Sequence, residues 1–217
     1  MNYQIEFKKN YMKACNFFGI KPKNIKLKII KNIKLINKLS SNVPWYAVGF
    51  YNKNTVIMLD KELFPSRGHK KREFSKVMLH EICHIFIKKI VKKRIPVWVE
   101  EGICQFIAFG DKIKPKKFVN LRKLQTYEDW YKLDNPYAYC SNFFSYLNKK
   151  YGKKKILKFI RLLNKRKPED AFAGVFGQDI KVIEIEFRRW LKNLKNLKNE
   201  KSLKKNGKRK GDRKGNI

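Results

Sequence analysis

The sequence predicts an α+β fold in which a small N-terminal mixed sheet is followed by a helical C-terminal half. Two observations predict it. Short stretches rich in β-branched and other apolar residues, bounded by turn residues, lie between residues 25 and 59, as expected for strands. From residue 74 onward the apolar residues recur every three or four positions, which is the spacing of helices with one buried face. The sheet is therefore expected to precede most of the helices.

The N-terminal elements follow in order. Residues 3–19 predict an amphipathic helix, and Gly19 is a typical C-terminal stop. A loop is expected at 60–71, which contains Pro65 and Gly68. Three strands are predicted between these two segments, at 25–30, 43–50 and 55–59, with a turn at 51–54.

Residues 74–91 predict a helix that carries the pattern His-Glu-x-x-His at His80, Glu81 and His84. Each helical residue advances by about 100°, so the two histidines lie about 40° apart and both imidazoles can reach one metal ion. Glu81 falls on the same side, where a carboxylate can accept a proton from water. The pattern is typical of zinc hydrolases. A pair of histidines that binds nothing is the alternative interpretation.

A zinc site of this kind needs a third protein ligand, and no histidine follows His84. The chain instead offers Glu100 and Glu101, an acidic pair that is predicted to open a second helix running to about Phe109, after Pro96 and the basic run before it have ended the first. A carboxylate in the first turns of a returning helix can complete a His-His-Glu site. The two glutamates point about 100° apart, so only one of them is expected to reach the metal.

The segments HEICH at 80–84 and WVEEG at 98–102 together resemble the gluzincin branch of the zinc metallopeptidases, and most closely its peptidase-MA-like domains. In that branch the glutamate just before the glycine is the third ligand. The resemblance therefore implies Glu101 rather than Glu100 as ligand, and one zinc ion (Zn²⁺) per chain as cofactor. It extends over about residues 25–192.

The resemblance also implies a zincin-like fold and the remaining parts of the site. The strand at 55–59 is expected to form the sheet edge that pairs with an extended substrate, with a plain core strand as the alternative. Glu81 is expected to act as general base, and a tyrosine of the helix that follows residue 136 as donor to the oxyanion. Tyr137 and Tyr139 are the two candidates, and alignment on the end of that helix favours Tyr137.

The implied function is zinc-dependent hydrolysis of peptide bonds in a peptide or protein substrate. The glycine- and acid-containing element with which the large aminopeptidases of this branch anchor an amino terminus is missing, so an endopeptidase is expected. One alternative is an SprT-like protease that digests proteins crosslinked to DNA, although that family closes its site with a further histidine. The other is a catalytically inactive zincin-like module that binds nucleic acid or another polyanion.

Composition adds expectations about partners and compartment. The formal net charge is +35, so non-specific binding of nucleic acid through the basic surface and tail is one interpretation. Lysine outnumbers arginine, which favours a solvated surface over base recognition. No apolar run reaches the length of a membrane span, and no signal peptide is apparent. The four cysteines lack Cys-x-x-Cys spacing and are expected to be free thiols in the cytoplasm.

One metallopeptidase domain is expected over residues 1–192, followed by a basic disordered tail at 193–217. A linker is predicted at 110–136. His69 is predicted to be an exposed surface residue outside the metal site. The helical elements at the two ends of the domain are an N-terminal part at 1–24 and a C-terminal part at 137–192, with helices at 137–151, 153–165, 168–176 and 180–198.

Overall fold

The prediction of an α+β fold is confirmed. The computed structural model contains one three-stranded mixed sheet, and most of the remaining described chain is helical. Apart from Asn193, the predicted tail at 193–217 lies outside the described residues, as does Val43 at the start of a predicted strand. The described residues are 2–39, 44, 46–111, 115 and 117–193.

The sheet has the strand order β1-β3-β2, with β1 at Lys26–Ile30, β2 at Gly49–Asn52 and β3 at Thr55–Leu59. β3 runs parallel to β1 and antiparallel to β2. The expectation that 55–59 forms the sheet edge is therefore wrong, since β3 is the central strand. Its composition explains this position: every residue after Thr55 is apolar and buried, as in a strand that is covered on both faces.

β2 is an edge strand within the described part of the chain. It begins later than the strand predicted at 43–50 and extends to Asn52, where a two-residue turn with Lys53 at φ 51° leads into β3. The turn therefore starts two residues later than expected. One edge of β2 consequently has no strand beside it among the described residues.

The hydrogen-bond register shows which backbone groups of β2 lie on that open edge. The Leu59 amide donates to the Val48 carbonyl at 2.8 Å, so these two residues form a hydrogen-bonded pair. Hydrogen-bonded and non-hydrogen-bonded pairs alternate along antiparallel strands. The backbone N–H and C=O groups of Gly49 and Tyr51 therefore point away from β3.

The helices account for most of the described chain. None of them has the length and apolar content needed to span a membrane. In chain order they are α1 Tyr3–Phe18, α2 Ile33–Leu39, α3 Phe74–Ile90, α4 Val97–Phe109, α5 Tyr127–Tyr131, α6 Pro136–Tyr151, α7 Lys153–Leu162, α8 Pro168–Phe176 and, within the described residues 180–193, α9.

The long helices lie close to their predicted bounds, and the short ones were not predicted. α2 has seven residues, and α5 has five and lies inside the predicted linker at 110–136. The predicted loop at 60–71 contains a 3-10 helix at Lys61–Arg67. One or two helical turns hold too few apolar positions to establish a period, so these elements lack the signal that reveals α3.

The core places α3 between the sheet and α4. α3 contacts β2 and β3, packs against α1, and lies beside α4, which is covered in turn by α6. α4 and α6 approach closely at Gly102, where an added Cβ would lie 2.8 Å from the Phe144 ring. Trp98 of α4 stacks on the same ring, with centroids 5.9 Å apart. This packing holds the first turns of α4 against the middle of α3.

Candidate metal centre

The side chains of His80 and His84 from α3 meet that of Glu101 from α4 at the helix interface. His80 Nε2 lies 3.2 Å from Glu101 Oε2, and His84 Nε2 lies 3.6 Å from Glu101 Oε1. The two Nε2 atoms are 3.1 Å apart. One ligand atom from each buried residue lies within 4.8 Å of the others, so the three could hold one metal ion. Two imidazoles and a carboxylate are a donor set that suits zinc.

Glu100 lies on the outer side of His84 and is not part of this cluster. His84 Nδ1 lies 3.0 Å from Glu100 Oε1, and Lys88 Nζ donates to Glu100 Oε2 at 2.7 Å. Burial raises the pKa of Glu100, but the hydrogen bond and charge of His84, together with Lys88, outweigh burial and lower that pKa to about 2. A carboxylate only accepts hydrogen bonds, so in its neutral form His84 carries its proton on Nδ1. In that form Nε2 presents a lone pair to the cluster.

Tyr51 of β2 holds the same imidazole from its face. Its ring stacks on that of His84, with centroids 5.0 Å apart and planes 14° apart. The Tyr51 hydroxyl donates to Glu100 Oε1 at 3.2 Å. His84 is thus fixed by a ring contact and a carboxylate. His80 lacks this support: its Nδ1 is buried without a hydrogen-bond partner among the described residues.

Glu81 lies in the same cleft, beside the cluster, and is 8% exposed. Gly49 of β2 leaves room for it, because an added Cβ there would lie 3.3 Å from Glu81 Cγ and 2.6 Å from Met58 Sδ. Burial raises the pKa of the Glu81 carboxyl, and the charges of His80 and His84 offset only part of that effect. A carboxyl with a raised pKa is suited to accept and return a proton near neutral pH.

The centre is acidic although the chain is strongly basic. Burial lowers the pKa of the His84 imidazole, but the carboxylates of Glu101 and Glu100 outweigh burial and raise it to about 9. Burial raises the pKa of Glu101, yet the two histidines bring it below its usual value. Three carboxylates, including that of Glu81, therefore stand around two imidazoles, and a cation in the cluster would be attracted by all three.

Tyr127 of α5 contacts the Glu101 side chain of the cluster. Its hydroxyl donates to Glu101 Oε1 at 2.6 Å. Burial and the charge of Glu101 raise the pKa of Tyr127 well above its usual value, so the hydroxyl keeps its proton and remains a donor. The α5 helix, which was predicted to be part of a linker, thus supplies a side chain that orients a candidate ligand.

The structure places Tyr137 and Tyr139 in different surroundings. Tyr137 lines the cleft, with its ring centroid 6.5 Å from that of His80. The Tyr139 hydroxyl lies away from the cluster, where it donates to Glu184 Oε1 at 3.2 Å and accepts from Arg188. Of the two tyrosines, Tyr137 is the one beside the candidate ligands.

The cluster lines a cleft of about 560 Å³ between β2, α3, α4 and α5. None of its described lining residues is Lys or Arg, although the chain has 53 of them. The acidic side chains in the cleft lining therefore contrast with the basic surface of the chain. Six aromatic side chains form much of its wall, namely Tyr46, Phe50, Tyr51, Tyr127, Tyr131 and Tyr137.

A second cavity of about 270 Å³ adjoins the cleft and shares Gly49, Glu81 and Tyr137 with it. His69 lines this cavity rather than the metal cluster. Its side chain is only 31% exposed, and its Nε2 lies 3.1 Å from the Tyr46 carbonyl oxygen. His69 therefore lies outside the metal cluster, as predicted, but it is partly buried rather than an exposed surface residue.

A family model described as "peptidase of plants and bacteria" matches residues 17–187. The chain belongs to this family. The match spans the candidate metal ligands, the cleft and the helices behind it, and membership makes the chain a peptidase-like hydrolase whose substrates are peptides or proteins. No curated protein and no solved structure gives a match.

The sequence contained weaker signals for the site residues that were not predicted. Thr126 and Asp129 form a reciprocal cap at the start of α5, a Ser/Thr-x-x-acid signature that marks a helix in the predicted linker. Tyr51 is two residues after Gly49, so the Tyr51 side chain and the space that Gly49 leaves open lie on the same face of β2, toward α3. That relation follows only once the pairing of β2 with β3 is known.

Proposed function

We propose that the chain is a zinc-dependent metallopeptidase of the gluzincin type that cleaves within polypeptides. One observation carries the proposal: the ligand atoms of His80, His84 and Glu101 converge within 4.8 Å of one another, and Glu81 lies beside them in the same cleft. The match to a peptidase family supports the reaction class. Each of the four residues has a chemical use in hydrolysis, whereas a module that only binds would not need Glu81.

Each residue of the candidate site would have a separate role in peptide hydrolysis. Zinc, when bound by His80, His84 and Glu101, would supply a Lewis acid that polarises the scissile carbonyl and acidifies a water. Glu81 would accept the proton of the attacking water and return it to the leaving amine, a use that suits its raised pKa. The Tyr137 hydroxyl, kept protonated by burial, would donate to the oxyanion.

The open edge of β2 supports an extended substrate in the cleft. The backbone groups of Gly49 and Tyr51 face away from β3, and both residues line the cleft. A substrate strand could therefore add to this edge by main-chain hydrogen bonds, with its scissile bond near Glu81. In this proposal β2, rather than the strand at 55–59, would supply the edge that pairs with the substrate.

Endopeptidase action is favoured because the described residues that line the cleft include no further buried acid to bind a free amino terminus. Besides Glu81 and Glu101, the described lining of the cleft contains one further carboxylate, Glu128. The Glu128 side chain is 81% exposed and accepts from Lys132 at 2.8 Å. An exopeptidase of this branch would need a better-placed anchor.

Two features bear on the alternatives and on the compartment. The candidate ligand set is closed by Glu101 rather than by a third histidine, which disfavours an SprT-like protease. All four cysteines are free and buried, which supports the prediction of a reducing compartment such as the cytoplasm.

The test is the Glu81→Gln variant. We expect it to keep its zinc, because Glu81 is not in the ligand cluster, and to lose peptide hydrolysis by at least ~10²-fold, because its general base is gone. Zinc content is measured by elemental analysis after gel filtration, and hydrolysis with a library of quenched fluorescent peptides. Glu128→Gln, on the rim of the cleft, is the matched control and should retain both. Wild-type hydrolysis by Glu81→Gln would refute the mechanism.

A further inference from the structure

The side of the molecule formed by α7 and the α3–α4 connection carries a dense group of basic residues, which we call the basic face. Its eleven residues are all exposed, and none of them forms an ion pair with a described carboxylate. No acidic residue occurs between Asp134 and Glu169. The basic face consists of Lys92, Lys93, Arg94, Lys153, Lys154, Lys155, Lys158, Arg161, Lys165, Arg166 and Lys167.

Hydrogen bonds join the two parts of the basic face into one surface. The Lys92 amide donates to Asn164 Oδ1 at 3.0 Å, and Asn164 Nδ2 donates to the Ile90 carbonyl at 2.7 Å. Lys93 Nζ donates to the Arg166 carbonyl at 3.0 Å. The connection that follows the metal helix is therefore tied to the C-terminal end of α7, and like charges are held close together.

Within the basic face the charges follow a line. Lys154, Lys158 and Arg161 are spaced by four and three residues, so they lie within about 60° of one another on the helix and span about 10 Å along it. Lys165 continues the line beyond the end of α7. The acids nearest in sequence, Glu169 and Asp170, lie in the first turn of α8 and pair with no described lysine or arginine. A line of unneutralised cations suits a linear polyanion with regularly spaced charges.

We propose that the basic face binds the phosphate backbone of a nucleic acid without reading its sequence. Eight of its eleven residues are lysine, which provides point charges for phosphates rather than the forked donors that recognise bases. The face lies outside the cleft, whose described lining contains no residue from it. This binding function is independent of the proposed hydrolysis.

A membrane surface fits the basic face less well. Peripheral helices that insert into lipid present apolar side chains beside their lysines. Four of the five apolar residues of α7 are instead buried in the core, and the fifth, Leu162, is partly buried against it; the four are Ile156, Leu157, Phe159 and Ile160. The large apolar side chains that are exposed in the described part of the chain lie on other segments, so the basic face offers charge alone.

The experiment compares two variants of the full chain that lose the same charge. One is Lys154→Gln/Lys158→Gln/Arg161→Gln/Lys165→Gln on the basic face. The control is Lys26→Gln/Lys28→Gln/Lys31→Gln/Lys34→Gln, four exposed lysines on and after β1. Binding to a fluorescein-labelled 20-base-pair DNA duplex is measured by anisotropy between 50 and 300 mM NaCl, and binding to phosphatidylserine vesicles by co-sedimentation.

We expect wild type and control to bind the duplex with a steep salt dependence. The basic-face variant should bind at least tenfold more weakly at 100 mM NaCl, and its slope of log K against log salt should be smaller by about 3 to 4, which corresponds to four lost phosphate contacts. Its zinc content should equal that of wild type. An equal loss in the control, no duplex binding by wild type, or vesicle binding at a salt concentration where the duplex does not bind would each overturn the proposal.

Discussion

At the scale of single residues, the site gives two adjacent glutamates different contacts. Glu101 faces both imidazole Nε2 atoms, whereas Glu100 accepts from His84 Nδ1, Lys88 and Tyr51. About 100° of helix rotation between neighbours is enough to place them on opposite sides of one imidazole. The first would bind the metal, and the second would orient a ligand.

This division predicts different losses of zinc affinity. Glu101→Gln should abolish tight binding, because a ligand charge is removed. Glu100→Gln should weaken binding by about 10–100-fold, because the His84 tautomer and ring orientation are less firmly held. Competition with a chromogenic chelator measures both affinities, and Glu128→Gln is a control with the same loss of charge. Unchanged affinity in Glu100→Gln would show that Tyr51 stacking alone is enough to orient His84.

At the scale of secondary-structure elements, α5 shows how much a single turn of helix adds to the site. Tyr127 and Tyr131 both lie on its cleft side and stack with centroids 5.8 Å apart. Only Tyr127 donates to Glu101. The stacked pair therefore allows a comparison between a tyrosine that donates to the candidate ligand Glu101 and one that only lines the wall.

Tyr127→Phe should lower zinc affinity by about tenfold, because the Glu101 carboxylate loses the donor that orients it. Tyr131→Phe removes a hydroxyl from the same helix without touching the cluster and should leave the affinity unchanged. The same chelator competition measures both variants. If they behave alike, α5 contributes to the cleft only as a wall.

The substitution Gly102→Ala tests why a glycine directly follows the candidate ligand Glu101. A Cβ at this position would lie within 3.0 Å of Phe144 and Cys140 in α6, so Gly102→Ala should lower the free energy of unfolding by about 1–3 kcal/mol. Gly174→Ala in α8 is the matched control, since its Cβ would meet only the flexible Arg166 side chain and should raise stability by about 0.5–1 kcal/mol. Urea denaturation followed by circular dichroism measures both, and opposite signs are expected.

The elements that sequence reasoning found are those whose signal is local. The long helices are predicted by apolar periodicity, and the two segments that carry the candidate metal ligands by fixed spacing within α3 and α4. Sheet order is not local: the sequence of β3 fits an edge or a centre until its partners on both sides are known. Tyr127 and Tyr51 join the site only through tertiary packing, so spacing along the chain could not assign them.

At the scale of the whole molecule, negative charge is gathered in the cleft and positive charge on the outer surface. The cleft contains carboxylates and no described basic lining residue, while exposed lysines and arginines cover much of the remaining surface. Burying Glu81, Glu100 and Glu101 together is unfavourable unless positive charge is brought to them. The histidines and Lys88 provide part of it, and a metal ion would provide the rest.

Zinc should therefore stabilise the folded chain measurably. At a free concentration about 100-fold above its dissociation constant, a ligand that binds only the folded state contributes about 2.7 kcal/mol. For a folded part of this size, that corresponds to a rise in Tm of about 5–11 °C over protein treated with a chelator. Differential scanning calorimetry measures the shift, which Glu81→Gln should retain in full because its ligand set is intact. His84→Ala should show no shift, and an equal rise in that variant would mean that zinc binds elsewhere on the chain.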